Sequence, residues 1–428
     1  MHWAAPGSAP AARRAGSAAG GSRIAAIASL AILALYVLFA CFVAINMHGR
    51  VDPAGAPLFY DFSTFYQAGA FARSGHPALA YHDSALFAAV GASFPGTTVR
   101  LPWYYPPSFQ LLLMPLAALP YVGAWLVWTF GLYGLYALLV ARLVGPGHRW
   151  LLLLAPVVAF NILVGQNGML STVLMGGGVL LLADRPVAGG VLLGLLSYKP
   201  HFALLVPLAL MAGREWRALV FAAASASASA LLALIALGVD PWLDFLQRTV
   251  RPLAILDSSS SSLHKFPSTM LMVKSFGASN EIGWACQGVV AAVAAGAAIW
   301  VWCRIEDGRV RGAALAAATL LVTPYLGIYD LTLLTLPIAA LLQGPRIARG
   351  QDALVLAAWV LPIVLAFDPW PIQIGPVLPA ALLGLLVWGV SRLPTASGQS
   401  DSAAQASHSG ATPVPESLEG ALERGAFG

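Results

Sequence analysis

The chain has 428 residues, 59% of them hydrophobic and only 10% charged, with a mean hydropathy of +0.77. Its 23 basic and 18 acidic side chains cannot cover a soluble globule of this size, which excludes disorder, a collagen-like chain, a disulfide scaffold and a soluble enzyme, and predicts an integral membrane protein. The net charge of +5 does not cluster on a polar face, so no nucleic-acid partner follows from it.

In chain order, residues 1–22 are rich in Ala, Gly and Ser and read as a disordered tail. The apolar run 24–45 follows Arg13, Arg14 and Arg23 and is longer than a signal-peptide core, so it is expected to stay as an anchor. Further runs at 109–140 (with a break expected at Pro120), 150–164, 169–183, 218–237, 284–303, 313–326, 328–342, 353–367 and 377–390 bring the total to about ten crossings, several of them short. The segment 187–213 is apolar but broken at Tyr198-Lys199-Pro200 and flanked by Arg185, Arg214 and Arg217. Basic flanks on both sides predict a re-entrant hairpin of two half-helices, its broken backbone buried in protein or lining a wet cavity. Cys41, Cys286 and Cys303 all fall in apolar runs and are expected to be small buried hydrophobes. Residues 394–428 read as a second disordered tail, leaving 23–393 as one all-α polytopic membrane domain.

With the N-terminus inside, fifteen of the 23 basic residues fall in cytoplasmic segments and seven outside, with Lys199 at the hairpin tip. Both tails are then cytoplasmic. The two long polar loops, 48–107 and 239–283, are outside, and function is expected there.

No lysine follows a glycine, so no Walker-type phosphate loop can be written, and Asp-x-Asp, His-Glu-x-x-His and Gly-x-Ser-x-Gly are all missing. Asp61 lies among aromatic rings in Phe59-Tyr60-Asp61-Phe62-Ser63-Thr64-Phe65-Tyr66. Such surroundings desolvate a carboxylate and suit it to general-base work, while an equally good reading makes Asp61 the N-cap of a helix over 62–73. Arg100, Tyr104 and Tyr105 lead into the next span, where aromatic residues form an interfacial belt or stack on a ligand. Asn161, Gln166 and Asn167 mark an outer turn. Lys199 and His201, at membrane depth, are functional candidates by default, unless Lys199 merely snorkels. Tyr325, Tyr329 and Asp330 bring a second carboxylate and two tyrosines to an outer turn.

Several pieces match a known family in order and placement. They are Asp61-Phe62 through Tyr66 to Gly75 and Tyr81; Tyr105-Pro106-Pro107 with Leu119-Pro120-Tyr121; Asn161 with Gly165-Gln166; Gly194 with Lys199-Pro200; and Thr323-Pro324-Tyr325 with Tyr329-Asp330. The set, spanning 59–337, resembles glycosyltransferase family 87, whose best-studied members are polyprenol-phosphate-mannose-dependent mannosyltransferases of the GT-C membrane class. The resemblance implies a GT-C-like helical bundle, a polyprenyl-phosphate sugar donor, a lipid or glycan acceptor and an outward-facing site in the cytoplasmic membrane. It also implies an aspartate in the first outer loop as general base, the position on which Asp61 falls. Arg100, Lys199 and Lys265 are then candidates for the donor phosphate, with Tyr66, Tyr104, Tyr105, Gln166, His201, Tyr325, Tyr329 and Asp330 as substrate contacts. No metal or cofactor is expected, since a lipid monophosphate leaving group carries less charge than a nucleotide diphosphate. The alternative from another class is a lipid-linked sugar flippase or transporter without transferase activity, which broken helices with a lysine would also suit.

Overall fold

The computed structural model describes residues 50–249, 266–366 and 373–393, with positions 34, 36, 38, 41 and 45 of the first apolar run. Apart from those five positions, the span read at 24–45 lies outside the described residues, as do the tails 1–22 and 394–428 and the candidate Lys265. All regular structure among the described residues is helical, apart from an isolated bridge between Val51 and Pro57.

Three helices are long and apolar enough to cross a membrane on their own: Tyr121–Leu143, Trp216–Leu237 and Asn280–Arg304. A fourth crossing is possible if Pro146–Leu153 and Pro156–Val164, bent by 44° at their junction, count as one. The remaining apolar runs form shorter helices, so the count of about ten full crossings is not reached among the described residues. Proline is the physical reason, because it lacks an N–H and starts a new helix more readily than it continues one. The run 109–140 becomes Pro107–Leu113, a 3-10 turn Leu116–Ala118 and the helix Tyr121–Leu143, whose N-cap is Pro120. The run 150–164, read as one crossing, breaks before Pro156.

At the centre stands Gly308–Val322, in which every residue from Val310 to Leu321 is buried. It lies against Gly168–Leu181 and Asn280–Arg304. The hairpin expected over 187–213 is built from Pro186–Leu195, a 3-10 turn Leu196–Tyr198, Pro200–Ala203 and Val206–Ala212. Ala183 before it and Gly213 after it line one cavity with Glu215 and Asp307, while Lys199 lines another cavity with Asp61, so the chain doubles back at Lys199. Gly190 and Gly194 let the rising arm lie directly on Trp216–Leu237: a Cβ at either would fall within 2.3 Å of the Ala218 or Ala222 carbonyl oxygen. Part of the Ala/Ser stretch in 222–230 thus serves helix packing, as its small residues suggest.

The cysteines depart from expectation. Cys41 and Cys303 are exposed and Cys286 is half-buried, on outward faces of apolar helices. Lipid solvates a small apolar side chain as well as a protein core does, so no force draws these residues inward.

The first long polar loop is itself folded into Tyr60–Arg73, a 3-10 turn Pro77–Tyr81 and Asp83–Ser93. The second contributes Asp240–Thr249 and Thr269–Ser275.

Candidate active site

The first-loop helix begins at Phe59, whose backbone is left-handed (φ 56°), an unusual state for a bulky residue. Its ring stacks flat on Trp125, with centroids 3.7 Å apart, and this contact supports the turn. Asp61 is therefore the second residue of the helix, not its cap, and the N-cap position makes no side-chain hydrogen bond. The cap reading of Asp61 is overturned. Its carboxylate instead faces a cavity of about 560 Å³, which Asp61 lines together with Arg100, Tyr104, Tyr105, Gln166, Lys199, His201, Tyr325, Tyr329 and Asp330. Segments far apart in the chain thus converge on one space.

An aromatic cluster forms one wall: Phe65 meets Tyr105 edge-on at 5.4 Å and Phe109 at 5.3 Å, while Tyr105 stacks near Tyr198 at 6.5 Å. Tyr81 fixes this wall by donating to the Tyr105 carbonyl at 2.9 Å. Among these rings the Asp61 carboxyl is desolvated, and its proton affinity is pushed up to about 7. The neighbouring Gln166 side chain and the positive charge of Lys199 pull the other way.

Lys199 does not snorkel. Its ammonium sits 2.5 Å from Asp330 Oδ1, and both side chains are almost fully buried. Three rings surround the ammonium: Phe202 at 5.0 Å, Tyr329 at 5.1 Å and Tyr105 at 5.9 Å. Asp330 Oδ2 accepts the Gly327 N–H at 3.0 Å, so the turn before Tyr329 holds the carboxylate in place. Asn161 links that turn to the Gln166 turn, donating to the Tyr329 carbonyl at 3.1 Å and accepting the Gly168 N–H at 2.8 Å. His201 packs edge-on to Phe202 and against Tyr325, 5.1 Å between centroids.

Arg100 lies exposed, bonded to the carbonyls of Thr97 and Val99 and placed over Phe87. Tyr66 does not line the cavity. Its hydroxyl donates to the Leu119 carbonyl at 2.9 Å and its ring packs on Tyr121.

Sequence reasoning counted Arg248 only as an outer-loop charge, yet it is a buried lining residue. It donates to Asp83 at 2.5 Å and to the Tyr81 carbonyl at 2.6 Å, and lies over the Tyr104 ring. With His82 and Asp244 3.3 Å apart, these contacts clamp the helix Asp240–Thr249 onto the first loop at the cavity. Nothing local in the sequence announces a partner 165 residues away.

This arrangement joins a desolvated carboxylate, aromatic faces suited to a sugar ring and cations suited to a phosphate. Among the described residues no cluster of His, Cys, Asp and Glu suits a metal ion. No curated protein and no solved structure matches the chain. A family model described as Glycosyltransferase family 87 matches residues 103–324, which takes in Tyr104, Tyr105, Gln166, Lys199, His201 and Arg248, while Asp61 and Asp330 flank the matched stretch. Matched over more than half of its length, the chain belongs to glycosyltransferase family 87.

Proposed function

We propose that this multi-pass membrane protein is a glycosyltransferase that moves a hexose, mannose by resemblance, from a polyprenyl-phosphate sugar to a lipid or glycan acceptor. The reaction runs at the outer face of the cytoplasmic membrane with both termini inside, in keeping with the distribution of basic residues. Asp61 takes the proton of the acceptor hydroxyl. The hydroxyl oxygen attacks the anomeric carbon from the side opposite the phosphate, and the C–O bond to the phosphate breaks with its electron pair leaving on the polyprenyl phosphate. Configuration inverts. Arg100 and Arg248 at the cavity, and Lys199 within it, stabilise the leaving phosphate; one of the three ammonium N–H groups of Lys199 is engaged by Asp330, and the others are donors for phosphate oxygens.

The observation that carries this reading is the meeting of Asp61 and Lys199, 138 positions apart, in one aromatic-lined cavity. It is tested by incubating the protein in liposomes with labelled polyprenyl-phosphate mannose and a membrane lipid extract, then identifying the product by mass spectrometry. Wild type should yield a mannosylated acceptor and Asp61→Asn none. Movement of the labelled donor across the bilayer without any new product would support the flippase reading instead.

A further inference from the structure

The helix Asp240–Thr249 follows closely on Trp216–Leu237, one of the helices long and apolar enough to cross a membrane. The 22 residues of that crossing rise about 33 Å, enough for the ~30 Å hydrocarbon core, so its end at Leu237 reaches the membrane surface. Gly238 ends it with φ 83°, a backbone state that favours glycine and lets the chain turn. Both helices lie against Pro107–Leu113, so the second folds back over the bundle instead of running on into water.

This short helix has two unlike halves. At about 3.6 residues per turn, Trp242, Leu243, Phe245 and Leu246 fall on one half, and Asp240, Asp244, Gln247 and Arg248 on the other. The protein covers only an edge where the halves meet: Phe245 and Arg248 are buried there and line the cavity. Leu243 and Leu246 stay 50% and 60% exposed. They follow in the chain on the exposed apolar surface of Leu231, Leu234 and Ile235, in the last turns of the crossing helix. Trp242, which packs edge-on to Phe245, is of the residue type that collects at membrane interfaces.

We infer that Asp240–Thr249 is an interfacial helix whose partner is the lipid surface itself. Leu243 and Leu246 insert at the boundary between headgroups and acyl chains, Asp240 and Gln247 face the headgroups, and the buried edge presents Phe245 and Arg248 to the cavity. One wall of the cavity is therefore seated on lipid. The contacts of Arg248 with Asp83 and of His82 with Asp244 hold the first loop at the same membrane surface. Because the exposed charges of the helix are acidic, apolar burial seats it, and zwitterionic lipid suffices.

The test uses the full chain in phosphatidylcholine nanodiscs, with Cys41, Cys286 and Cys303 replaced by alanine and one bimane-labelled cysteine introduced as Leu243→Cys, Leu246→Cys or Gln247→Cys. Doxyl lipid in the nanodisc should quench the label at 243 and 246 and leave 247 nearly unchanged, while iodide in the water should do the reverse. Iodide quenching equal at all three positions would overturn the inference. So would protection of 243 and 246 from both quenchers, the mark of a second copy or another protein seated on the leucines. A label-free check uses Leu243→Glu/Leu246→Glu, which leaves the buried edge intact. In the same nanodiscs amide exchange across Asp240–Thr249 should speed up about tenfold or more, as expected for taking a leucine out of apolar surroundings, with exchange in Trp216–Leu237 unchanged. Unchanged exchange in Asp240–Thr249 overturns the inference too. Neither measurement involves sugar transfer, so the glycosyltransferase reading stands or falls separately.

Discussion

Replacing Lys199 by methionine keeps the apolar stem against Phe202 and Tyr329 and removes only the charge. On residue type alone that exchange is structurally silent. The contact with Asp330 reverses the expectation, because the two groups lie 2.5 Å apart with side-chain exposures of 3% and 2%. Without the ammonium, Asp330 Oδ1 is a buried charge left with only the Gly327 N–H on its other oxygen. Breaking such a pair from one side costs about 3–5 kcal/mol. Asp330→Asn alone should cost a similar amount by stranding the lysine. The double variant Lys199→Met/Asp330→Asn strands neither and should fall within about 1 kcal/mol of wild type or exceed it, since a buried pair rarely gains much over a neutral replacement. The assay is unfolding of the purified protein in detergent, followed by tryptophan fluorescence across the four members of the cycle. A single variant as stable as wild type, or a double variant as unstable as the singles, would refute the reasoning. The double variant also isolates function: loss of the lysine's contact with the donor phosphate should weaken donor binding about ten- to hundredfold with the fold retained.

Asp61→Asn should abolish transfer while leaving unfolding unchanged, because Asp61 caps nothing; since the base form prevails only above its raised proton affinity near 7, wild-type transfer should rise with pH through 7 and fade below it, as a pH–rate profile would record. Gly165→Ala should cost at least about 1–2 kcal/mol from its left-handed backbone alone, and more from the collision with Phe62, lowering both the unfolding temperature and the transfer rate. Arg248→Met should cost about 1–3 kcal/mol, because it strips the buried Tyr81 carbonyl of its donor while the Asp83 side chain, 44% exposed, stays hydrated, and amide exchange in Asp240–Thr249 should speed up as the helix loses its clamp.

Much of the molecule was legible in its sequence because the physics involved is local. Apolar excess alone demands a membrane, and proline and charge punctuate apolar runs wherever they occur, so the break at Pro120 and the reversal at Lys199 could be read directly. Of the twelve candidates read from the sequence ten line the cavity, nine of them aromatic or ionisable residues near the ends of these runs and the tenth Gln166. Run length was a poorer guide to crossings, since short helices buried among longer ones need not span the bilayer alone.

What the tertiary structure decided are pairings between distant segments. Lys199 reads as a free cation until the turn at Asp330, 131 residues later, is folded against it. Asp61 reads equally as cap or base until the left-handed Phe59 moves the helix start forward. Arg248 carries no signal until Asp83 closes on it. Periodicity and composition report how each segment meets its solvent, whereas charge neutralisation and hydrogen-bond direction depend on which segments meet each other, and only the packed bundle specifies that.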